Sequence, residues 1–380
     1  MAKVALFEWI AGGHRPIYVR RFVEALQPYA DVILALPQAT LDAVGDLGVD
    51  TISLGSGRPP YDGLLRGRSI LRREVEQLRH VSSLADQTVH LYADQALFQL
   101  ATAPRLPGAI NLLVYTPRAH YADAYGTRLS PADRAIALAR EWAVRRWRKR
   151  PDANAVFALD EEAARRWATR SGAPAHWLPE PPMPGLPAED RTVERDGCVL
   201  YGQLAARKGI DLLARALTIE HTRVRVVLAG SIDDGYLPEL ERHAAAIEAA
   251  GGEIEVRAWR HSELEGLRAL ASARCALLPY PKHPGMSRVL VEACSVGTPV
   301  IAHDFGLLGH LVRRHRLGLA VDCTDPNALR EAVLLLTEAE RSVSYTEHLA
   351  RFAARFEPER FRDALLGGLR IAGIDRRRRG

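Results

Sequence analysis

The sequence predicts an α/β chain of two doubly wound domains, each a parallel sheet covered by helices on both faces, with a cleft between them. Three observations carry this. Short apolar, strand-like runs alternate with helical stretches along the whole chain. Five prolines, Pro179, Pro181, Pro182, Pro184 and Pro187, fall within nine residues near the middle and mark a stiff, extended connector. The 380 residues, 47% of them hydrophobic, suffice for two cores at roughly 150 residues per domain. The expected division is a first domain over 1–178, a Pro-rich linker over 179–195 and a second domain over 196–356. A C-terminal helix, free to pack back on the first domain, and a basic tail fill 357–380.

In the first half, Val4 to Trp9 is a short apolar run followed by Ala11-Gly12-Gly13 and a helix-like stretch from His14 to Gln27. Further strands are read at Asp31–Leu36, Thr51–Leu54, Val89–Tyr92, Asn111–Tyr115 and Ala155–Leu159, with a charged helix over roughly Leu64 to Leu84 and a long helix from Ser130. In the second half the strands are Cys198–Tyr201, Val224–Ala229, Ile254–Arg257, Cys275–Leu278 and Pro299–Ala302. Near-continuous apolar strands separated by helices are the mark of parallel sheets buried on both faces. No repeat of 20 to 50 residues is present, which excludes a solenoid.

Composition narrows the function classes. No apolar run approaches the ~20 residues of a membrane span. The opening Met1-Ala2-Lys3-Val4-Ala5-Leu6-Phe7 meets Glu8 after four apolar residues, too short for a signal-peptide core, so the expected compartment is the cytoplasm. The formal charge of +5 includes four arginines, Arg376 to Arg379, so the body of the chain stands at +1. A basic tail is not a basic groove, and nucleic acid is not an expected partner. Cys198, Cys275, Cys294 and Cys323 form no C-x-x-C and no zinc-like cluster; they read as reduced core residues, and no metal site is expected.

Two segments carry chemistry. Tyr201-Gly202-Gln203-Leu204-Ala205-Ala206-Arg207-Lys208-Gly209 follows a strand and opens a helix. Gly202 permits close backbone approach, and Lys208 is a point charge suited to a phosphate near a helix start. The plainer reading is an ordinary strand-to-helix loop with Arg207 and Lys208 on the surface. The second segment runs Pro279-Tyr280-Pro281-Lys282-His283-Pro284-Gly285-Met286-Ser287 into a helix on which Arg288, Glu292 and Ser295 share one face, while Val289, Ala293 and Val296 form the apolar face. A carboxylate one turn inside such a helix can accept two hydroxyl hydrogen bonds, as from a ribose. The alternative is a solvated Arg288–Glu292 pair, in the weaker orientation and worth at most ~0.5 kcal/mol.

Taken together these segments resemble the nucleotide-sugar domain of family-4 glycosyltransferases, of two-domain GT-B fold. The resemblance rests on an ordered set over about 130 residues: Gly202 with Lys208-Gly209, Val226–Gly230, Cys275–Pro279, Val289–Ala293 with Gly297–Ala302, and Gly318–Val321 with Asp325-Pro326. It implies Lys208 as a catalytic ligand of the donor diphosphate, Glu292 as the ribose carboxylate, and amides around Gly285, Met286 and Ser287 over the phosphates. Gly202, Gln203 and Arg207 complete the implied donor set. The chain departs from the family in three places: Gln203 stands where an arginine is usual, Pro284 where the first Glu of E-x(7)-E falls, and His310 near the Glu of a Gly-Gly-x-Pro-Glu loop. Arg207 supplies a charge from a different position.

For the acceptor side, Gly12 and Gly13 lie where a GT-B enzyme brings a loop near the donor, and His14 and Tyr18 share a helix face; His14 is the candidate catalytic residue of this half. The family's His after a strand would fall near Arg118, and His120 is offered two places on. The helix from Ser130-Pro131 carries six arginines, Lys149, Trp142 and Trp147 within 131–150. It reads as an amphipathic cover helix with solvated arginines, or as a weak peripheral membrane contact that would suit a lipid-linked acceptor.

The expected function is sugar transfer from a nucleotide-diphosphate sugar to an acceptor, with retention implied by the resemblance. No D-x-D occurs in the sequence, in keeping with metal-independent chemistry and no cofactor beyond the nucleotide-sugar co-substrate. Two other readings stand beside it. An epimerase of the same fold needs acid/base pairs, and a non-catalytic partner protein would accommodate Gln203, Pro284 and His310.

Overall fold

The structure is a computed structural model and describes residues 1–11, 15–57, 67–126, 129–191, 194–219, 222–259, 262–338 and 344–371. The chain divides into two compact units: unit 1 is Met1–His120, Arg128–Pro182 and Pro358–Gly380, and unit 2 is Tyr121–Thr127 and Met183–Glu357.

Unit 1 contains strands β1 (Ala2–Phe7), β2 (Ala30–Leu36), β3 (Asp50–Ser53), β4 (Gln87–His90), β5 (Ala109–Val114), β6 (Ala153–Ala158) and β7 (Ala175–Trp177). They form one seven-stranded sheet in the order β3-β2-β1-β4-β5-β6-β7, parallel throughout. Unit 2 contains β8 (Cys198–Tyr201), β9 (Arg225–Gly230), β10 (Glu253–Ala258), β11 (Cys275–Leu278), β12 (Val300–His303) and β13 (Gly318–Val321). Its six strands run β10-β9-β8-β11-β12-β13, again all parallel. Each is a doubly wound α/β sheet whose strand order reverses once, between β1 and β4 and between β8 and β11.

The strands are apolar because both of their faces are covered. Phe7, Leu112 and Val156 pack with Trp147 and Trp167 in unit 1, and Leu200, Leu228, Leu277 and Ile301 form the corresponding layer in unit 2. Fully burying each such side chain is worth about 1.5–3 kcal/mol. The four cysteines are free thiols inside the second unit, all buried.

The eleven strands read from sequence are all present, with ends shifted by up to two residues. Two more, β7 and β13, were not among the expected strands, and both are outermost in their sheets. β7 is three residues long; β13 opens on Gly318 at φ 142°, where a Cβ would lie 2.0 Å from the Val300 carbonyl. From Pro179 to Pro187 the chain takes no helix or strand, a 3-10 turn follows at Ala188–Arg191, and Leu178 to Pro182 are buried rather than solvated.

Two helices of unit 1 are fixed by specific contacts. Pro131–Trp147 starts as its capping pattern predicts: Ser130 Oγ accepts the Asp133 amide at 3.1 Å and donates to the Asp133 carboxylate at 2.7 Å. Its basic residues are not all solvated, however. Arg148 is buried and donates to the carbonyls of Ala173, Trp167 and Arg170, at 2.6, 2.6 and 3.0 Å. The last helix, Pro358–Leu369, belongs to unit 1, with Phe361 edge-on to Phe22 at 5.1 Å and Gly368 against the Phe157 ring.

Candidate functional site

In open α/β sheets, ligands bind outside the carboxyl ends of the strands where the strand order reverses. In unit 2 that point lies between β8 and β11, which pair through Cys198–Cys275 and Val199–Ala276. The loops leaving these two strands are the two segments singled out by sequence.

The first loop is shaped by two glycines. Gly202 has φ 117°, and a Cβ there would sit 3.2 Å from Lys208 Nζ. Gly209 has φ 71°, and a Cβ there would lie 2.3 Å from the Pro279 carbonyl oxygen. Between them Ala206–Lys208 makes one 3-10 turn that folds the lysine inward. Lys208 is buried, donates from Nζ to Tyr280 Oη at 2.8 Å, and lies 4.2 Å from the centre of the Tyr280 ring. Burial, reinforced by nearby Arg207 and opposed by Glu292, brings its pKa down to about 7. Arg207 and Gln203 are exposed instead. The Arg207 guanidinium donates to Gln203 Oε1 at 2.6 Å, and Gln203 Nε2 donates to Asp233 at 2.9 Å.

The second loop ends at Ser287, which takes the N-cap position of helix Arg288–Ser295 without a side-chain cap bond. Its side chain acts on Tyr280, opposing the rise in the phenol's pKa that burial causes. The first amides of the helix therefore have no side-chain acceptor, the usual preparation for an anion. Gly285 and Ser287 are buried and Met286 half-buried. Burial lowers the pKa of His283, which as a neutral ring donates from Nε2 to the Met286 carbonyl at 2.8 Å.

Glu292 lies one turn in. The pair with Arg288 that sequence offered as the plainer reading does form, Arg288 Nε donating at 3.0 Å, but it is not solvated: the two side chains are 12% and 6% exposed. Arg288 also binds Glu263. Burial raises the Glu292 pKa, held back by Arg288 and Lys208 and pushed further by Glu263. Tyr201, its hydroxyl pushed up by burial and by Glu292, stacks at 6.4 Å on half-buried Trp259; Gly266 leaves the room for its ring.

Lys208, Tyr280, Ser287, Glu292 and Arg288 thus converge at the reversal point, while Gln203 and Arg207 stay at its surface. Tyr201, Trp259, Glu263, Tyr280 and His283 were not read from sequence. Tyr201, Trp259 and Tyr280 each stand at, or within two residues of, a strand's carboxyl end, which is the signal that would have found them.

Of the acceptor-side candidates, Gly12, Gly13 and His14 lie outside the described residues. Tyr18 is buried in unit 1, its hydroxyl on buried Glu180 and its ring 6.0 Å from Tyr115. His120 is buried, with Nε2 3.4 Å from Asp160 and Nδ1 3.4 Å from Arg166. The reversal point of unit 1 holds other groups. Glu8 follows β1, and burial raises its pKa to about 6 although Arg15 lies 3.6 Å away. Arg15 sits 5.7 Å over the Tyr92 ring, just after β4. Among the described residues no group of three or more His, Cys, Asp or Glu could hold a metal ion, and no helix is long and apolar enough to cross a membrane.

Two doubly wound parallel-sheet domains with this site in the second define the class: the fold is GT-B. Residues 195–339 match the family glycosyl transferases group 1. A GDP-mannose-dependent alpha-(1-6)-phosphatidylinositol monomannoside mannosyltransferase of Mycolicibacterium smegmatis is 31% identical over 148 residues, 37% of this chain and 38% of the relative. A D-inositol 3-phosphate glycosyltransferase of Corynebacterium urealyticum is 27% identical over 164 residues, 42% of this chain and 39% of that one. The match thus spans under half the length of either relative. Among solved structures, Anabaena HepE in complex with UDP aligns over 97% of this chain and 100% of its own, with TM-score 0.69 and 14% identity. Sucrose-phosphate synthase from Thermosynechococcus elongatus aligns over 97% and 98%, with TM-score 0.66 and 19% identity. At these identities the likeness is one of fold.

Proposed function

We propose that this chain is a glycosyltransferase that moves a sugar from a nucleoside-diphosphate sugar to an acceptor, with retention and without a metal ion. One observation carries the reading: a buried lysine and an uncapped helix start meet at the strand-order reversal of unit 2, one helical turn from a buried carboxylate. In this reading Lys208 and the amides of Gly285 to Ser287 and the first helical residues hold the diphosphate, and Glu292 accepts the ribose hydroxyls. Trp259 and Tyr201 offer aromatic faces to the base. The bond from the anomeric carbon to the diphosphate oxygen breaks as the bond to the acceptor oxygen forms. The acceptor proton passes to the leaving diphosphate, whose charge Lys208 offsets. Tyr18, His120 and His14 remain the proposed acceptor-side set, with His14 catalytic. A cytoplasmic location with peripheral membrane contact through 131–150 belongs to the same reading. UDP bound to HepE and GDP-mannose used by the mycobacterial relative support a diphosphate donor.

A thermal-shift screen of UDP, GDP, dTDP and ADP tests the donor site. The matching diphosphate at 100 times its Kd should stabilise by ~2.7 kcal/mol, and no response to any of the four would remove the assignment. Incubation with the corresponding nucleotide sugars then separates transfer from epimerisation and from binding alone. The last is favoured by one observation, that Gln203 is occupied by Arg207 and Asp233 and adds no cation to the loop.

A further inference from the structure

Unit 1 carries an apolar face that its own core does not explain. On helix Pro131–Trp147, Leu138 is 56% exposed and Trp142, one turn on, 46%. Phe98, from the neighbouring helix Leu97–Thr102, is 51% exposed and places its ring 5.6 Å from that of Trp142. Helical spacing puts Arg134 and Arg145 on the same stripe, Lys149 follows in the turn after the helix, all three are exposed, and the Arg146 guanidinium lies 5.7 Å over the Trp142 ring. Arg145 pairs with Glu141 at 3.1 Å; Arg134, Arg146 and Lys149 have no ion pair among the described residues. The helix carries two carboxylates, Asp133, half-buried in its first turn, and Glu141, buried.

We infer that the face built from Phe98, Leu138 and Trp142 docks the protein on an anionic lipid surface. The chemistry fits that occupant on both counts. Aromatic rings at the level of the headgroups, flanked by long cationic side chains that reach the phosphates, are the pattern of an interfacial helix. A second copy of the chain fits poorly. A two-fold contact would set the same cations against one another. Three half-exposed side chains also offer roughly 300 Å², well short of the ~800 Å² per partner of a stable interface. The inference gives the proposed membrane contact a defined surface, and it rests on that reading for its purpose only, because the groups involved are remote in sequence from the donor loops.

The test is sedimentation of the full chain with vesicles of phosphatidylcholine alone and of phosphatidylcholine with about 30% phosphatidylglycerol. Binding is expected only to the second and should weaken as salt rises. Phe98→Ala/Leu138→Ser/Trp142→Ala should lower the partition coefficient at least tenfold, and Arg134→Gln and Lys149→Gln about fivefold each. Equal binding to both vesicles, or no binding, overturns the inference. So does binding that survives the triple substitution but disappears when Arg376 to Arg379 are replaced by serine, which would assign it to the tail. Self-association through the face without vesicle binding, seen by sedimentation velocity, overturns it as well. Diphosphate titration of the triple variant should match the unaltered chain and reports separately on the donor site.

Discussion

Lys208 is held in a position that is costly without a ligand. Its pKa of about 7 lies below that of an ordinary lysine, so the folded chain binds this proton less tightly than the unfolded one. The stability it withholds is present above the unfolded pKa and is lost as pH falls toward 7. A bound diphosphate would restore the charge. Above pH 7 diphosphate binding should therefore take up a proton, and affinity should fall by up to tenfold per pH unit. Calorimetry at pH 8.5 in two buffers of different ionisation enthalpy reads the uptake directly; heats that do not depend on the buffer would separate Lys208 from the phosphates. Lys208→Ala should lower kcat by about 10²–10³, the loss of one transition-state donor. Glu292→Gln keeps the shape and an acceptor for Arg288, so its thermal transition should move little. It should weaken diphosphate binding by roughly tenfold if the carboxylate receives the ribose, since charge-assisted bonds are worth ~1.5–3 kcal/mol and an amide recovers only part. Unchanged affinity would leave Glu292 as the partner of Arg288 and nothing more.

At the scale of elements, the donor loop depends on backbone geometry that a side chain would spoil. Gly209→Ala meets both a left-handed φ of 71° and the Pro279 carbonyl 2.3 Å from the new Cβ. Its cost should exceed the ~1 kcal/mol of the conformation alone, and diphosphate affinity should drop with it because Lys208 is the preceding residue. A circular-dichroism melt beside a binding titration checks both. Gly202, Lys208, Ser287 and Glu292 were legible in the sequence because strand, loop and helix follow one another there with glycines and charges at the joints. Trp259 and Glu263 were not, since they come from a third strand and the helix after it and meet the site only through sheet order. β7 and β13 were missed for a different reason: β7 has three residues and β13 four, opening on Gly318, too little to stand out as a separate apolar run. Arg148 looked like one more solvated cation, and only the carbonyls that converge on it from residues 167–173 show otherwise.

For the molecule as a whole, the assignment of helix Pro358–Leu369 to unit 1 sets how damage spreads. Phe361 is 1% exposed, and Phe361→Ala should cost about 3–5 kcal/mol as a large-to-small change in a core. Hydrogen exchange should show the loss in peptides of unit 1, Phe22 among them, while diphosphate still protects the loops at 202–209 and 279–288. Uniform loosening of both units would mean that they do not hold their stability separately.

That same helix imposes an order on synthesis. A ribosome that has released the chain up to Glu357 has delivered every strand of both sheets and all of unit 2, yet unit 1, begun first, still lacks a wall of its core. Domains generally fold as they emerge, the earliest first; here the earliest must wait for the last helix. During that interval Phe22 and Phe157 lack the cover that Phe361 and Gly368 later give them. The newborn chain is therefore most in need of a chaperone over its oldest half, at the moment when its youngest half has already emerged whole.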